Sequence, residues 1–224
     1  MLSPVPATDY DLRFSLFGIP VRVHPLFWVA SVVMGWVDGR LDLVLVWLAC
    51  VFVSILVHEM GHALAARSFG WSPEVVLYLF GGLASFIPTQ RYTAGRAIAV
   101  SAAGPAAGFL LYGCVLAFDA WRRVQGVELS ELGAYALFDL EFINLWWGLV
   151  NLLPVLPLDG GQISRDLLGI FRHDGLQLAV QLSVVVAGGV AAWCFMHEET
   201  YPALLFAVLC VNNIQMLQAG GRGW

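Results

Sequence analysis

The run from Leu41 to Arg67, LDLVLVWLACVFVSILVHEMGHALAAR, is a nearly unbroken apolar segment that ends in His58-Glu59-Met60-Gly61-His62. At about 1.5 Å of rise per residue, such a run is long enough to cross a hydrocarbon core about 30 Å thick. Residues four apart on a helix lie about 40° apart around the axis and about 6 Å along it. His58 and His62 therefore face the same way and can share one metal ion, and Glu59 can reach a water molecule beside that ion. Ionisable groups at membrane depth are expensive, so their presence at the end of a spanning helix points to chemistry.

The rest of the chain has the composition of a membrane protein. Of its 224 residues 59% are hydrophobic and only 12% are charged, and the mean hydropathy is +0.77. These values lie outside the usual range of soluble domains and call for several spans rather than one large core. The net charge of -5 resides in short connections, and no basic cluster suggests nucleic acid binding. Cys50, Cys114, Cys194 and Cys210 all fall in apolar runs, form no Cys-x-x-Cys pair, and read as small buried hydrophobes. Met1 to Pro20 has no positive region followed by an apolar core, so a cleaved signal peptide is not expected.

Hydropathy predicts an α-helical polytopic membrane protein with about six transmembrane helices in a single membrane-embedded domain, spanning about 23–37, 41–67, 97–118, 132–153, 176–196 and 201–217. The first run is short for a span. The fourth is interrupted by Asp139, Glu141, Asn144 and Asn151 and runs into Pro154 and Pro157, which break or kink a helix. Between the second and third spans, residues 74–88 read as two short strands around a turn at Gly81-Gly82. This apolar β-hairpin is expected to be membrane-associated, where non-helical backbone survives only if protein covers it. Gly104-Pro105-Ala106-Ala107-Gly108 in the third span offers a face of small residues for close helix packing.

Six spans put both termini on one side. With the N-terminus inside, the inner segments carry eight arginines (Arg13, Arg22, Arg67, Arg91, Arg96, Arg165, Arg172 and Arg222) and the outer ones three (Arg40, Arg122 and Arg123). This bias predicts cytoplasmic termini and brings the His58–His62 end of the second span toward the cytoplasmic face.

Catalytic zinc takes three protein ligands and keeps a fourth position open. His24 opens the first span, His173 lies in a polar connection, and His197 lies in a loop on the opposite side. Asp159 is the best carboxylate candidate: it follows the proline-broken fourth span and precedes Gly160-Gly161, where the backbone can turn. By spacing alone Asp159 serves equally well as a helix-capping residue.

On these residues the chain resembles the site-2 protease family of intramembrane zinc metalloproteases. The resemblance rests on His58-Glu59-x-x-His62, on Leu158-Asp159-Gly160 with Asn151 eight residues ahead of it, and on Gly104-Pro105. The Gly81-Gly82 hairpin fits that family's membrane-associated sheet, and the likeness extends from about His24 to about Gly161. It implies one zinc ion per chain held by His58, His62 and Asp159, with Glu59 as the catalytic carboxylate. Asn151 matches an asparagine near the metal that positions substrate or stabilises an oxyanion, with an interhelical hydrogen bond as the alternative. His24 resembles a first-span histidine of unsettled role, for which a structural function is the alternative. Glu141, Asn144 and Asn151 either line a wet cavity or satisfy one another between helices.

The function implied is hydrolysis of peptide bonds within or near transmembrane segments of membrane-protein substrates. The partners implied are such a substrate and the lipid bilayer, and the small chain suggests a prokaryotic plasma membrane. A metal-ion transporter is disfavoured because the remaining histidines are not stacked along the spans. A catalytically inactive membrane-peptide-binding relative is disfavoured because binding alone has no need of Glu59.

Overall fold

The longest apolar run of the first half is helical from Leu41 to Ser68, and among the described residues two strands precede it in sequence and two follow it. The structure, a computed structural model, describes residues 6–79, 81–87 and 92–220. In order these form β1 (Leu12–Leu16), β2 (Ile19–Val23), α1 (Pro25–Met34), α2 (Leu41–Ser68), β3 (Ser72–Tyr78), β4 (Gly81–Ile87), α3 (Ala94–Val124), α4 (Glu131–Asn151), α5 (Asp159–Phe171), α6 (Gly175–Met196) and α7 (Thr200–Gly220). Among the described residues four helices, α2, α3, α6 and α7, are long and apolar enough to cross a membrane. The chain divides into two compact units, one drawn from the residues up to 91 and from 103–148, the other from 92–102 and the residues from 149 onward.

The first unit contains a four-stranded sheet in the order β1-β2-β3-β4. β1 and β2 are antiparallel, and Leu16 pairs with Ile19 across Phe17 and Gly18. Both turn residues have positive φ, 50° and 72°, the conformation that matches the twist of a two-residue hairpin. β2 and β3 are parallel, with Val21 opposite Val75, and the connection between them runs through α1 and α2. β3 and β4 are antiparallel, with Leu77 opposite Gly82 and Tyr78 opposite Gly81. β2 alternates cleanly: Ile19, Val21 and Val23 are buried while Pro20 and Arg22 face outward. Its inner face packs with Phe27, Val75, Leu77, and with Val51, Ile55, Met60 and Ala63 of α2.

Two expectations change here. Val23 belongs to β2, and α1 has ten residues, about 15 Å of rise, half of what a span needs. The expected first span over 23–37 is thus a strand end followed by a short helix. It stops at Gly35, whose missing side chain makes room for the Trp47 ring, and Trp47 Nε1 donates to Ser31 O at 3.0 Å. The expected glycine turn also moves: Gly81 and Gly82 are the first two residues of β4, and Leu79, ahead of them, has the left-handed φ of 46°. Pro88, the last residue of the expected hairpin, lies outside the described residues.

α2 and α3 approach closely within this unit. A methyl group at Gly61 would stand 2.8 Å from the Ala107 Cβ, so Gly61 and the small residues of α3 let the two backbones meet. Asn144 of α4 donates to Ser54 Oγ of α2 at 2.8 Å and to Leu140 O at 2.8 Å.

In the second unit, α4 ends at Asn151 and an irregular connection, 152–158, leads to α5. α5 was not expected from the sequence. It fills the polar stretch ahead of α6 and is more amphipathic than any span. α6 and α7 pack on each other and on the connection through Ala187, Phe206, Leu209 and Val155.

Candidate metal centre

The centre of the first unit is the C-terminal half of α2, where His58, Glu59 and His62 are 3%, 5% and 7% exposed. Helical spacing brings the two imidazoles together as the sequence predicts. Their Nε2 atoms are 3.2 Å apart and their rings are nearly perpendicular, at 80°. At Zn–N distances of about 2.0–2.1 Å and a tetrahedral angle, two imidazole nitrogens on one zinc stand about 3.3 Å apart. The pair therefore fits a single zinc ion with almost no adjustment.

Glycines on two neighbouring elements make the room for these side chains. A methyl group at Gly104 of α3 would stand 2.7 Å from His62 Cδ2 and nearer still to Nε2. A methyl group at Gly108, one turn further along α3, would stand 4.0 Å from His58 Nδ1 and 3.8 Å from Asn144 Oδ1. Gly104 of the third helix thus makes room for the His62 imidazole in addition to the close helix packing of this motif. On the other side, a methyl group at Gly82 of β4 would stand 2.6 Å from Glu59 Oε1. β4 therefore runs directly past the carboxylate.

Asn151 and Asp159 belong to the second unit, at the two ends of the 152–158 connection. Asn151 is the buried last residue of α4. Asp159 is half-buried and is the first residue of α5; the capping position itself is occupied by Leu158, which has no side-chain acceptor. The alternative of Asp159 as the capping residue is therefore not adopted. Gly160 and Gly161 are buried and abut the connection, where methyl groups would stand 2.5 Å from Leu153 O and Leu156 N respectively.

The other candidates have local roles. His24 caps α1: its Nδ1 accepts from Leu26 N–H at 3.1 Å, its own N–H donates to Leu77 O at 2.9 Å, and its ring meets Tyr78 edge-on at 4.9 Å. His173 and His197 are exposed, and His197 Nδ1 lies 2.8 Å from Trp193 O. Asn144, bonded to Ser54, follows the expectation of polar groups satisfying one another between helices.

Comparison with known proteins agrees with this chemistry. The family model for peptidase family M50 matches residues 124–195. A zinc metalloprotease of Methanocaldococcus jannaschii is 30% identical over 216 residues, covering 93% of this chain and 57% of the relative. Stage IV sporulation protein FB of Bacillus subtilis is 33% identical over 146 residues, 65% of this chain and 46% of that protein. A putative zinc metalloprotease of Synechocystis is 32% identical over 174 residues, 68% of this chain and 42% of that protein. The chain thus spans about half the length of the curated relatives it matches. Among solved structures, the site-2 protease from Methanocaldococcus jannaschii has the same fold, with a TM-score of 0.65 at 24% identity over 93% of this chain and 95% of that one. With its His-Glu-x-x-His helix, the chain is similar to the M50 peptidases over residues 124–195 and to zinc metalloproteases over most of its length, and it shares the fold of a site-2 protease.

Proposed function

We propose that this protein is an intramembrane zinc metalloprotease that hydrolyses peptide bonds within or near the transmembrane segments of other membrane proteins. The observation that carries this reading is the buried His58–His62 pair, 3.2 Å between Nε2 atoms, with Glu59 between them in sequence and β4 passing its carboxylate. His58, His62 and Asp159 would hold one zinc ion, a His₂-carboxylate donor set of the kind found in catalytic zinc sites. The chemistry zinc supplies in such a site is Lewis-acid polarisation of a carbonyl and a water pKa lowered toward about 7.

Glu59 accepts the proton of the attacking water and delivers it to the leaving amine as the C–N bond breaks. Burial keeps competing solvent away from that carboxylate. Asn151 orients the scissile carbonyl or donates to the oxyanion that develops on it. A helical substrate hides its amides in intrahelical bonds and must unwind before it can react. β4 is an outer strand of the sheet and runs past Glu59, so an unwound segment added along its edge would be held by main-chain hydrogen bonds close to the general base.

The fold is a single membrane-embedded domain with six spans: α1 crosses together with its flanking residues where the bilayer is locally thin, α4 and the four long apolar helices supply the others, and the β3–β4 hairpin rests in or against the membrane. Both termini face the cytoplasm and the metal site lies toward that face, in keeping with the arginine bias. The test is Glu59→Gln in purified, folded protein with a model transmembrane substrate. Retained zinc with cleavage reduced by about 10²–10⁴-fold is expected; undiminished cleavage would overturn the reading.

A further inference from the structure

The connection between Asn151 and Asp159 has little regular structure of its own, and Pro154 and Pro157 lack N–H donors altogether. Leu156, at its buried centre, is 6% exposed. Its backbone groups are satisfied by side chains from two different helices. The Leu156 N–H donates to Ser183 Oγ of α6 at 3.0 Å, and the Leu156 carbonyl accepts from Asn213 Nδ2 of α7 at 2.7 Å. Each of these side chains is anchored in turn on its own helix. Ser183 Oγ donates to Ala179 O at 2.8 Å, and Asn213 Nδ2 donates to Leu209 O at 2.8 Å. Ser183 is 0% and Asn213 1% exposed. In apolar surroundings either unpaired backbone group would be costly, so the clamp specifies one backbone position for Leu156.

That position is passed directly to Asp159. The Leu158 N–H closes on Val155 O at 2.8 Å. Gly160 and Gly161 rest on the backbone of residues 152–156 so closely that neither has room for a methyl group. A shift at Leu156 therefore moves the first turn of α5, which begins with Asp159. We infer that Ser183 and Asn213 are positioning residues that aim Asp159 at the metal through the backbone of Leu156, an inference that rests on Asp159 being the third ligand.

The test compares S183A, N213L and the double variant with D159A, in the full chain in detergent. Three quantities are read: zinc affinity by chelator competition, the cobalt d–d absorption spectrum, and the unfolding temperature of the metal-free protein. The expected result is zinc affinity weakened by about 10–100-fold in S183A and N213L. The cobalt spectrum changes, and the metal-free unfolding temperature stays within a few degrees of the parent's. S183A deletes a single oxygen and carries the test if N213L fails to fold. Weakened zinc binding in D159A with unchanged affinity and spectrum in S183A and N213L would overturn the clamp's role while leaving the ligand reading intact. A lowered unfolding temperature with unchanged affinity would overturn it equally, by showing a merely structural pair. Undiminished zinc binding in D159A would overturn the ligand reading, and this inference with it.

Discussion

Gly82 of β4 lies against Glu59 of α2: a methyl group at position 82 would stand 2.6 Å from Glu59 Oε1. The carboxylate and the strand are thus in contact across the sheet–helix packing, and the absence of a side chain at 82 is what allows it. Gly82→Ala should displace either Glu59 or the strand by several tenths of an ångström to an ångström. A misplacement of that size costs on the order of 10²-fold in rate. Cleavage of a model transmembrane substrate should fall by about that factor while zinc content, measured by chelator competition, stays at the parent's level. Unchanged cleavage in G82A would show that the strand gives way without disturbing the base.

The companion contact is Gly104 with His62. A methyl group there would overlap the imidazole, at 2.7 Å from Cδ2 and closer to Nε2, so Gly104→Ala must turn the ring away from its partner. Zinc affinity is expected to drop by about tenfold or more, the usual scale for disturbing the support of a metal ligand. Gly113, also on α3, has open space around its Cα. G113A therefore serves as the control and should retain parental affinity.

His24 tests the opposite expectation. Its Nδ1 caps α1 by accepting the Leu26 N–H at 3.1 Å. His24→Ala should therefore cost about 1 kcal/mol of stability, the usual scale of a lost N-cap. It should leave zinc binding untouched. Chemical unfolding together with metal titration separates the two, and a loss of zinc in H24A would reassign this residue to the metal site.

Strand addition at the edge of β4 predicts an alternating pattern in a proline scan over positions 83–86. Successive N–H groups of an outer strand point alternately toward the neighbouring strand and away from the sheet. Proline at the inward positions breaks the β3–β4 ladder and should destabilise the protein. At the outward positions it removes only donors that a substrate would use, and cleavage should fall with the unfolding midpoint preserved. Outward prolines that leave cleavage at the parental rate would rule out this mode of substrate binding.

The residues that were legible in the sequence are those whose relationship is local. His58, Glu59 and His62 converge because four residues make about one helical turn, whatever else the chain does. Gly104 and Gly108 were recognisable as a close-packing face. Other features were harder to read because their cause is distant in sequence. Ile19-Pro20-Val21-Arg22-Val23 alternates plainly, yet its partner in the sheet is β3, whose Val75 pairs with Val21. The strand ends at Val23, within the apolar run that otherwise reads as a span. α5 is polar and short, and its first turn is set by contacts with the 152–156 backbone.

By itself the sequence determined that this is an apolar, largely helical chain with two histidines spaced to share a metal ion and a carboxylate at the end of one long helix, because hydropathy and helical periodicity act over a few neighbouring residues. Only the tertiary structure decided what Gly81 and Gly82 are for. They read as a turn, the local preference of glycine, but they open β4, and Gly82 is small because Glu59 occupies the space beside it. A close approach between two backbones is a property of packing, and no local pattern encodes which neighbour will fill the space that a glycine leaves open.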